Sequence, residues 1–474
     1  MFNGYFIAAF TGIIVAESVR LAGTILNLRA LKPTAPPELA DVYDPATYRR
    51  SQEYTRAGSR LGLAGSLLDL AVLLGFWPAG GFGWLDGVVK GWGLGPVWGG
   101  LLFLLILFAA RGVLALPFEV WEVFVLEERF GFNRTTFQTF VLDLAKSLAL
   151  SIVLMVPLTV GFLALFEYGG RAAWIYAWVA AVLFSFLMQW LVPRVIMPLF
   201  NTFTPLEEGE LRAAVLAYAE RVDFPVKEVF SIDASRRSAK GNAFFTGFGR
   251  NKRIALFDTL IRRHPVEEVV AILAHEVGHY KKRHTVQNTV AASLETGLFL
   301  GLLAVFVDEP GLFAAFGVDG PSVYAGVIFV SILLTPLRLA LSVGSAALSR
   351  QHERQADRFS GSTLGRGDRL AAGLTRLAKD NLSNLTPHPF YVFLNYSHPP
   401  LLERVRALGL RRPVCTGSGE PSGSGPAGPA ATPPGEQPPP DMVSPPDMAS
   451  PPGMAPPPGA VPPRGGAAEA GSKA

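Results

Sequence analysis

Long apolar runs separated by short polar stretches fill most of the chain. Runs at residues 2–26, 61–85, 97–125, 140–166, 173–200, 288–307 and 323–348 each reach the length a helix needs to cross a bilayer. The pattern predicts seven spans. The first run contains Glu17 and Arg20 and has no basic stretch ahead of it, so it reads as an uncleaved membrane helix rather than a signal peptide. Between the fifth and sixth runs the periodicity changes. Residues 207–223 follow a helical period with a polar face. Residues 229–233, 242–248 and 254–258 read as short strands, with Gly249, Arg250 and Asn251 as a turn. From Pro413 onward the chain holds eighteen of its 38 prolines and a six-residue Ser-Pro-Pro-Asp/Gly-Met-Ala repeat. Such a stretch cannot bury enough apolar surface to fold and is expected to be disordered.

One more helical pattern lies at residues 266–284, VEEVVAILAHEVGHYKKRH. Pro265 suits the first position of a helix, where the missing N–H costs nothing. Glu267 and Glu268 fall in the first turn and Lys281, Lys282 and Arg283 in the last, both matching the helix dipole. Val266, Val269, Val270, Leu273 and Val277 form the apolar stripe. On the same helix His275 and His279 lie one turn apart on one face, a spacing that lets two imidazoles reach one zinc ion. Glu276 between them would then stand beside the water to be activated, where a carboxylate can take a proton.

Composition supports the membrane reading. Half the residues are hydrophobic, 17% are charged, and the mean hydropathy is +0.32. A net charge of +4 is too small to suggest nucleic-acid binding. The single cysteine, Cys415, excludes a disulfide framework and a cysteine-based zinc site. Arg and Lys crowd the segment after the first span, whereas residues 308–322 carry acids and no Lys or Arg. The positive-inside rule therefore places the first loop and residues 206–283 in the cytoplasm. Arg111, Glu119, Glu295 and Arg338 fall within spans. They either face a water-filled interior or snorkel and pair within the bundle.

Two histidines leave a catalytic zinc site one protein ligand short. After the seventh run comes Ser-Arg-Gln-His-Glu-Arg-Gln-Ala-Asp, residues 349–357, which puts Glu353 and Asp357 on one helix face. Glu353 can supply the missing ligand, and Asp357 can accept the free N–H of a ligating imidazole and orient it. Near residue 398, His398 and Arg404 could steady a developing oxyanion, or serve equally as cap and packing. The strand beginning at Asn242 could bind a peptide by main-chain hydrogen bonds if its edge is free, although an ordinary hairpin fits the pattern as well.

Several strings taken together resemble the type I CAAX prenyl proteases, integral-membrane zinc metalloendopeptidases. They are LPFEVWEVFVLEERFGFNRTTFQTF, IMPLFNTFTPLEEGEL, SAKGNAFFTGFGRNKRIALFDTL, HEVGH, SRQHERQAD and YSHPPLLERVRAL. The likeness covers about residues 1–410. Arg354 departs from it, standing where the family often has an aromatic residue.

The resemblance implies a mainly α, polytopic protein: a seven-helix barrel around a large chamber with a small cytoplasmic α/β metalloprotease part. It implies one Zn2+ per chain on His275, His279 and Glu353, with Glu276 as catalytic base and Asp357 holding His279 or His275. Asn242, Ala243, Phe244 and Phe245 would line the peptide, and His398 and Arg404 would steady the tetrahedral intermediate. The reaction implied is removal of the last three residues of a prenylated C-a-a-X terminus. The Ala-, Gly- and Pro-heavy composition points to a bacterial member, whose substrate could be another membrane peptide and whose site would face the cytoplasm from the inner membrane. Competing functions are a broader quality-control protease and a non-catalytic transporter or lipid-binding protein with structural zinc. The expected divisions are 1–200 with five spans, 201–287 with the HExxH helix, 288–349 with two spans, 350–410 completing the site, and the 411–474 tail. The expected partners are peptide substrate and lipid, with a monomer favoured.

Overall fold

The structure, a computed structural model, describes residues 1–35, 43–246 and 252–409. The turn expected at Gly249, Arg250 and Asn251 and the 411–474 tail lie outside the described residues. Six described helices are long and apolar enough to cross a membrane: Gly4–Ala30, Pro45–Phe76, Gly95–Glu127, Phe137–Tyr168, Gly170–Phe200 and His284–Phe306. Val323–Leu333 and Thr335–Leu364, which meet at a 64° bend, are long and apolar enough only together, and taken as one broken span they make the seventh.

Two of these differ from the pattern-based expectation. The second begins at Pro45, inside the polar segment, with Asp44 capping the Thr47 N–H, and it ends at Phe76. The apolar residues after it form a separate short helix, Gly81–Gly91. The seventh is broken rather than straight. Pro336 has no N–H to give the Ile332 carbonyl, which accepts from the Thr335 hydroxyl instead, so the first helix stops at Leu333 and a second starts at Thr335 with Pro336 in its first turn.

The spans do not pack into a solid bundle. In the fourth and fifth, only 6% of the most apolar window is buried. A helix in a filled bundle buries at least a stripe, so such exposure belongs to helices with open space on more than one side, as in a hollow barrel. Some ionisable groups on the spans find partners on a neighbouring span. Arg111 of the third span meets Asp69 of the second at 3.1 Å, and Ser345 of the seventh donates to Glu295 of the sixth at 2.6 Å.

Large aromatics close the end of the barrel that holds the N-terminus. Trp77 stacks on Phe316, with centroids 4.3 Å apart, and Phe316 stacks on Phe329 at 4.0 Å. The Trp77 indole N–H donates to the Ala315 carbonyl.

The α/β part sits at the other end. Its sheet has four strands, β1 Phe203–Pro205, β2 Val226–Ile232, β3 Ala243–Thr246 and β4 Lys252–Phe257, in the order β1-β2-β4-β3. Only β2 and β4 run parallel. The three-residue β1 was not expected from the sequence. Helix Glu210–Arg221 and the HExxH helix Val266–Lys281 share one apolar core, through Val215, Tyr218, Ile254, Leu256 and Leu273. Lys240 ties this part to the barrel. Its ammonium lies 3.1 Å from Glu127 at the end of the third span and over the rings of Tyr54 and Phe132.

Candidate metal centre

The HExxH helix is the most deeply set element of the α/β part, with ten of its 16 residues buried. Pro265 stands just ahead of it with an extended ψ of 153°, so Val266, not Pro265, is the first helical residue. The helix ends at Lys281, three residues earlier than its charge pattern suggested. Arg283 takes a left-handed φ of 58° and turns the chain into the sixth span. That corner folds His284 back over His279.

The second half of the seventh span crosses the HExxH helix closely. A Cβ added at Gly278 would lie 3.0 Å from the Cα of Ala356, so any larger residue would push the two helices apart by a few tenths of an ångström. The crossing presents one turn of that span, Glu353 to Asp357, to the two histidines. His275 Nε2 and His279 Nε2 lie 3.1 Å apart. Glu353 is 3.3 Å from the first through Oε2 and 3.2 Å from the second through Oε1. His275, His279 and Glu353 are the one group among the described residues whose ligand atoms converge closely enough to hold a metal ion.

The supporting residues separate clearly. His275 Nδ1–H donates to Asp357 Oδ1 at 2.8 Å, so of the two imidazoles Asp357 meets His275. Arg404 holds both oxygens of Asp357, at 2.9 and 2.7 Å, and reaches Glu353 at 3.5 Å. It is 8% exposed and stands behind the His275 ring. His398 Nε2 lies 3.2 Å from Glu353 Oε1, and its Nδ1 is 2.8 Å from Ser397 Oγ. On the other side His284 Nδ1 sits 3.0 Å from His279 Nδ1. Sequence reading did not single out His284. The available signal was its rarity, one of seven histidines in the chain, five residues beyond the motif.

Electrostatics follow from this burial. Burial lowers the His275 pKa, but Glu353 and Asp357 outweigh it and raise the imidazole to about 10. Such a site attracts positive charge, whether a proton or a metal ion. Burial raises the pKa of Glu276, opposed by the two imidazoles. Its carboxyl makes no hydrogen bond or ion pair among the described residues. Burial lowers the pKa of His398.

β3 lies at the sheet edge beside the HExxH helix. The Phe257 N–H donates to the Asn242 carbonyl, so by ladder alternation the Ala243 N–H points away from β4. The Asn242 side-chain oxygen accepts that N–H at 2.8 Å. Ala243 and Phe244 are buried on opposite faces of the sheet, Phe244 against Ile232 and Ala255. What β3 offers a peptide at these two positions is its backbone, not their side chains.

Comparison with known proteins now decides the family. The family model "CAAX prenyl protease N-terminal, five membrane helices" matches residues 24–202, and that of peptidase family M48 matches residues 205–412. The chain is 35% identical to the CAAX prenyl protease 1 homolog of Arabidopsis thaliana, over 81% of this chain and 93% of the relative. It is also 35% identical to CAAX prenyl protease 1 of Saccharomyces cerevisiae, over 79% and 88% respectively. The chain belongs to the CAAX prenyl protease 1 family. The crystal structure of S. mikatae Ste24p superposes with a TM-score of 0.81 at 32% identity, covering 86% of this chain and all of that one. Membership makes this a multi-pass membrane metalloendopeptidase with a helical barrel, and it removes the transporter reading.

Proposed function

We propose that this protein is a zinc-dependent endopeptidase that hydrolyses a peptide bond near the C-terminus of prenylated C-a-a-X substrates, releasing the last three residues. The observation that carries the reading is the convergence of His275, His279 and Glu353 from two separate helices, with the Glu276 carboxyl beside them and unpaired among the described residues. Their nitrogen and oxygen atoms stand 3.1–3.3 Å apart. Ligand atoms on a tetrahedral zinc ion with bonds of about 2.0–2.1 Å would be about 3.3 Å apart, so the donor set fits. When bound, zinc supplies Lewis acidity to the scissile carbonyl and makes water a nucleophile at neutral pH.

The chain's own residues do the rest. A peptide adds to the edge of β3, pairing with the main chain from Asn242 to Phe245 and displacing the Asn242 side chain from the Ala243 N–H. Glu276 takes the proton of the attacking water and returns it to the leaving amine. Its raised pKa suits both halves of that transfer. His398 donates to the developing oxyanion. Arg404 acts from behind, fixing Asp357 and through it the His275 ring.

The site faces the cytoplasm in this reading. Tyr43, Tyr48 and Asp44, from the Arg-rich segment after the first span, pack against or pair with the Ala378–Leu385 region at the catalytic end. The acidic 308–322 loop packs on the opposite end, with Gly311 accepting from Asn3.

The test is mass analysis of a farnesylated C-a-a-X peptide incubated with purified protein, with and without a zinc chelator. Loss of three residues, abolished by chelator, is expected. An intact peptide would refute the proposal, and equal cleavage of the unprenylated peptide would favour a broader quality-control protease.

A further inference from the structure

The two imidazoles of the centre are held in different ways. His275 leans on a carboxylate that is itself gripped by an arginine. Among the described residues, no carboxylate stands behind His279. Its Nδ1 meets His284 Nδ1 at 3.0 Å, and His284 Nε2 meets Gln355 Oε1 at 3.0 Å. His284 is 1% exposed. The ring of His352, 2% exposed, stacks on it at 4.1 Å and 13°. His352 is fixed in turn by Gln287, whose Oε1 accepts from Nε2 at 3.0 Å. The Gln287 amide donates to the Lys282 carbonyl at the end of the HExxH helix. These residues come from the sixth and seventh spans, so the cluster joins both spans to the metal helix.

Hydrogen-bond direction runs one way along this chain. The Gln355 carbonyl oxygen can only accept, so His284 carries its proton on Nε2. His284 Nδ1 is then a lone pair and accepts from His279 Nδ1–H. That leaves the His279 Nε2 lone pair facing His275 and Glu353, as a metal ligand requires. Reversed, the chain would put a proton on His279 Nε2 and close the position. We infer that His284, set by Gln355 and clamped by His352, is the positioning residue that fixes the tautomer and ring plane of His279. The centre is thus built with one charged support, Asp357–Arg404, and one neutral support, His284–Gln355. A neutral acceptor orients without adding a fourth carboxylate to a site that already holds Glu353, Glu276 and Asp357.

This inference rests on the metal reading above, and the experiment separates the two. Zinc affinity of purified wild type, His284→Ala and His284→Asn is measured by equilibrium competition with a chelator of known affinity, and the cobalt-substituted forms are compared by visible absorption. Wild type should bind one zinc; if it binds none, the metal reading itself falls. His284→Ala should bind zinc about 10–100-fold more weakly, the usual cost of removing such a support. It should also alter the cobalt spectrum and lower kcat more than it changes KM. Asn offers an acceptor oxygen near the lost Nδ1, so His284→Asn should recover part of the affinity. A folded His284→Ala protein with wild-type affinity and spectrum overturns the assignment, as does an Asn variant no better than Ala. If His284→Ala does not fold, Gln355→Met decides. It removes the terminal acceptor and should weaken zinc binding severalfold, whereas unchanged affinity would sink the proposal.

Discussion

The fourth span and the HExxH helix are both strongly apolar, yet they use that apolarity in opposite ways. The span, Phe137–Tyr168, has only 6% of its most apolar window fully buried in protein. The HExxH helix buries ten of its 16 residues against strands and helices. In the span, apolar side chains match a solvent of lipid and need no partner. In the catalytic helix they are the adhesive that holds two imidazoles within 3.1 Å of each other. An apolar run therefore says little about precision; the packing around it does.

The comparison can be broken or sharpened by substitution. The largest effect is expected from Glu276→Gln, which should keep its metal, measured by elemental analysis, while kcat falls by about 10²–10⁴-fold. Full turnover would show that the buried helix carries no acid–base function. Next, Asp357→Asn should loosen the metal by about 10–100-fold in a competition titration, because the His275 support becomes neutral and Arg404 loses its partner.

A matched glycine pair tests the two regions directly. Gly278→Ala pushes a methyl into the Ala356 backbone and should cost about 1–3 kcal/mol and weaken metal binding. Gly161→Ala in the fourth span meets nothing within 4 Å. It should leave stability unchanged or raise it by up to about 1 kcal/mol. Equal effects in thermal unfolding would abolish the contrast drawn here.

The smallest effect is pH-dependent. Burial alone would raise the pKa of Glu268, at the start of the HExxH helix, but His264 and Arg376 outweigh it and hold it below the ordinary glutamate value. A carboxylate depressed in the folded state stabilises above its unfolded pKa, about 4.3, and loses that contribution as pH falls through the folded value. The Tm gap between wild type and Glu268→Gln should thus be full at neutral pH and shrink below about pH 4. A gap that widens on acidification would contradict this sign.

Much of the site was legible because its chemistry is local. His275, Glu276 and His279 lie within two turns of one helix, and Glu353 and Asp357 within another, so helical spacing alone exposes each set. His284 was hidden because a helical period was assumed to run through Arg283, where the backbone turns left-handed without glycine or asparagine to announce it. The break in the seventh span had its signal in Pro336, but continuous hydropathy masked it. The inward face of Phe244 could not be read from a strand flanked by residues of mixed character.

The sequence by itself determined what depends on near neighbours: seven membrane crossings, the zinc-motif helix, and a second helix able to complete it. Periodicity and hydropathy are properties of contiguous residues, and solvent, lipid or water, selects them directly. Tertiary structure alone decided which imidazole Asp357 supports, that Arg404 stands behind it, and that His284 backs the other. Those contacts join residues 129 and 71 positions apart, as in Arg404 with His275 and His284 with Gln355. They depend on how helices pack, as where two cross tightly at Gly278, and no spacing rule along one chain segment encodes the angle of such a crossing.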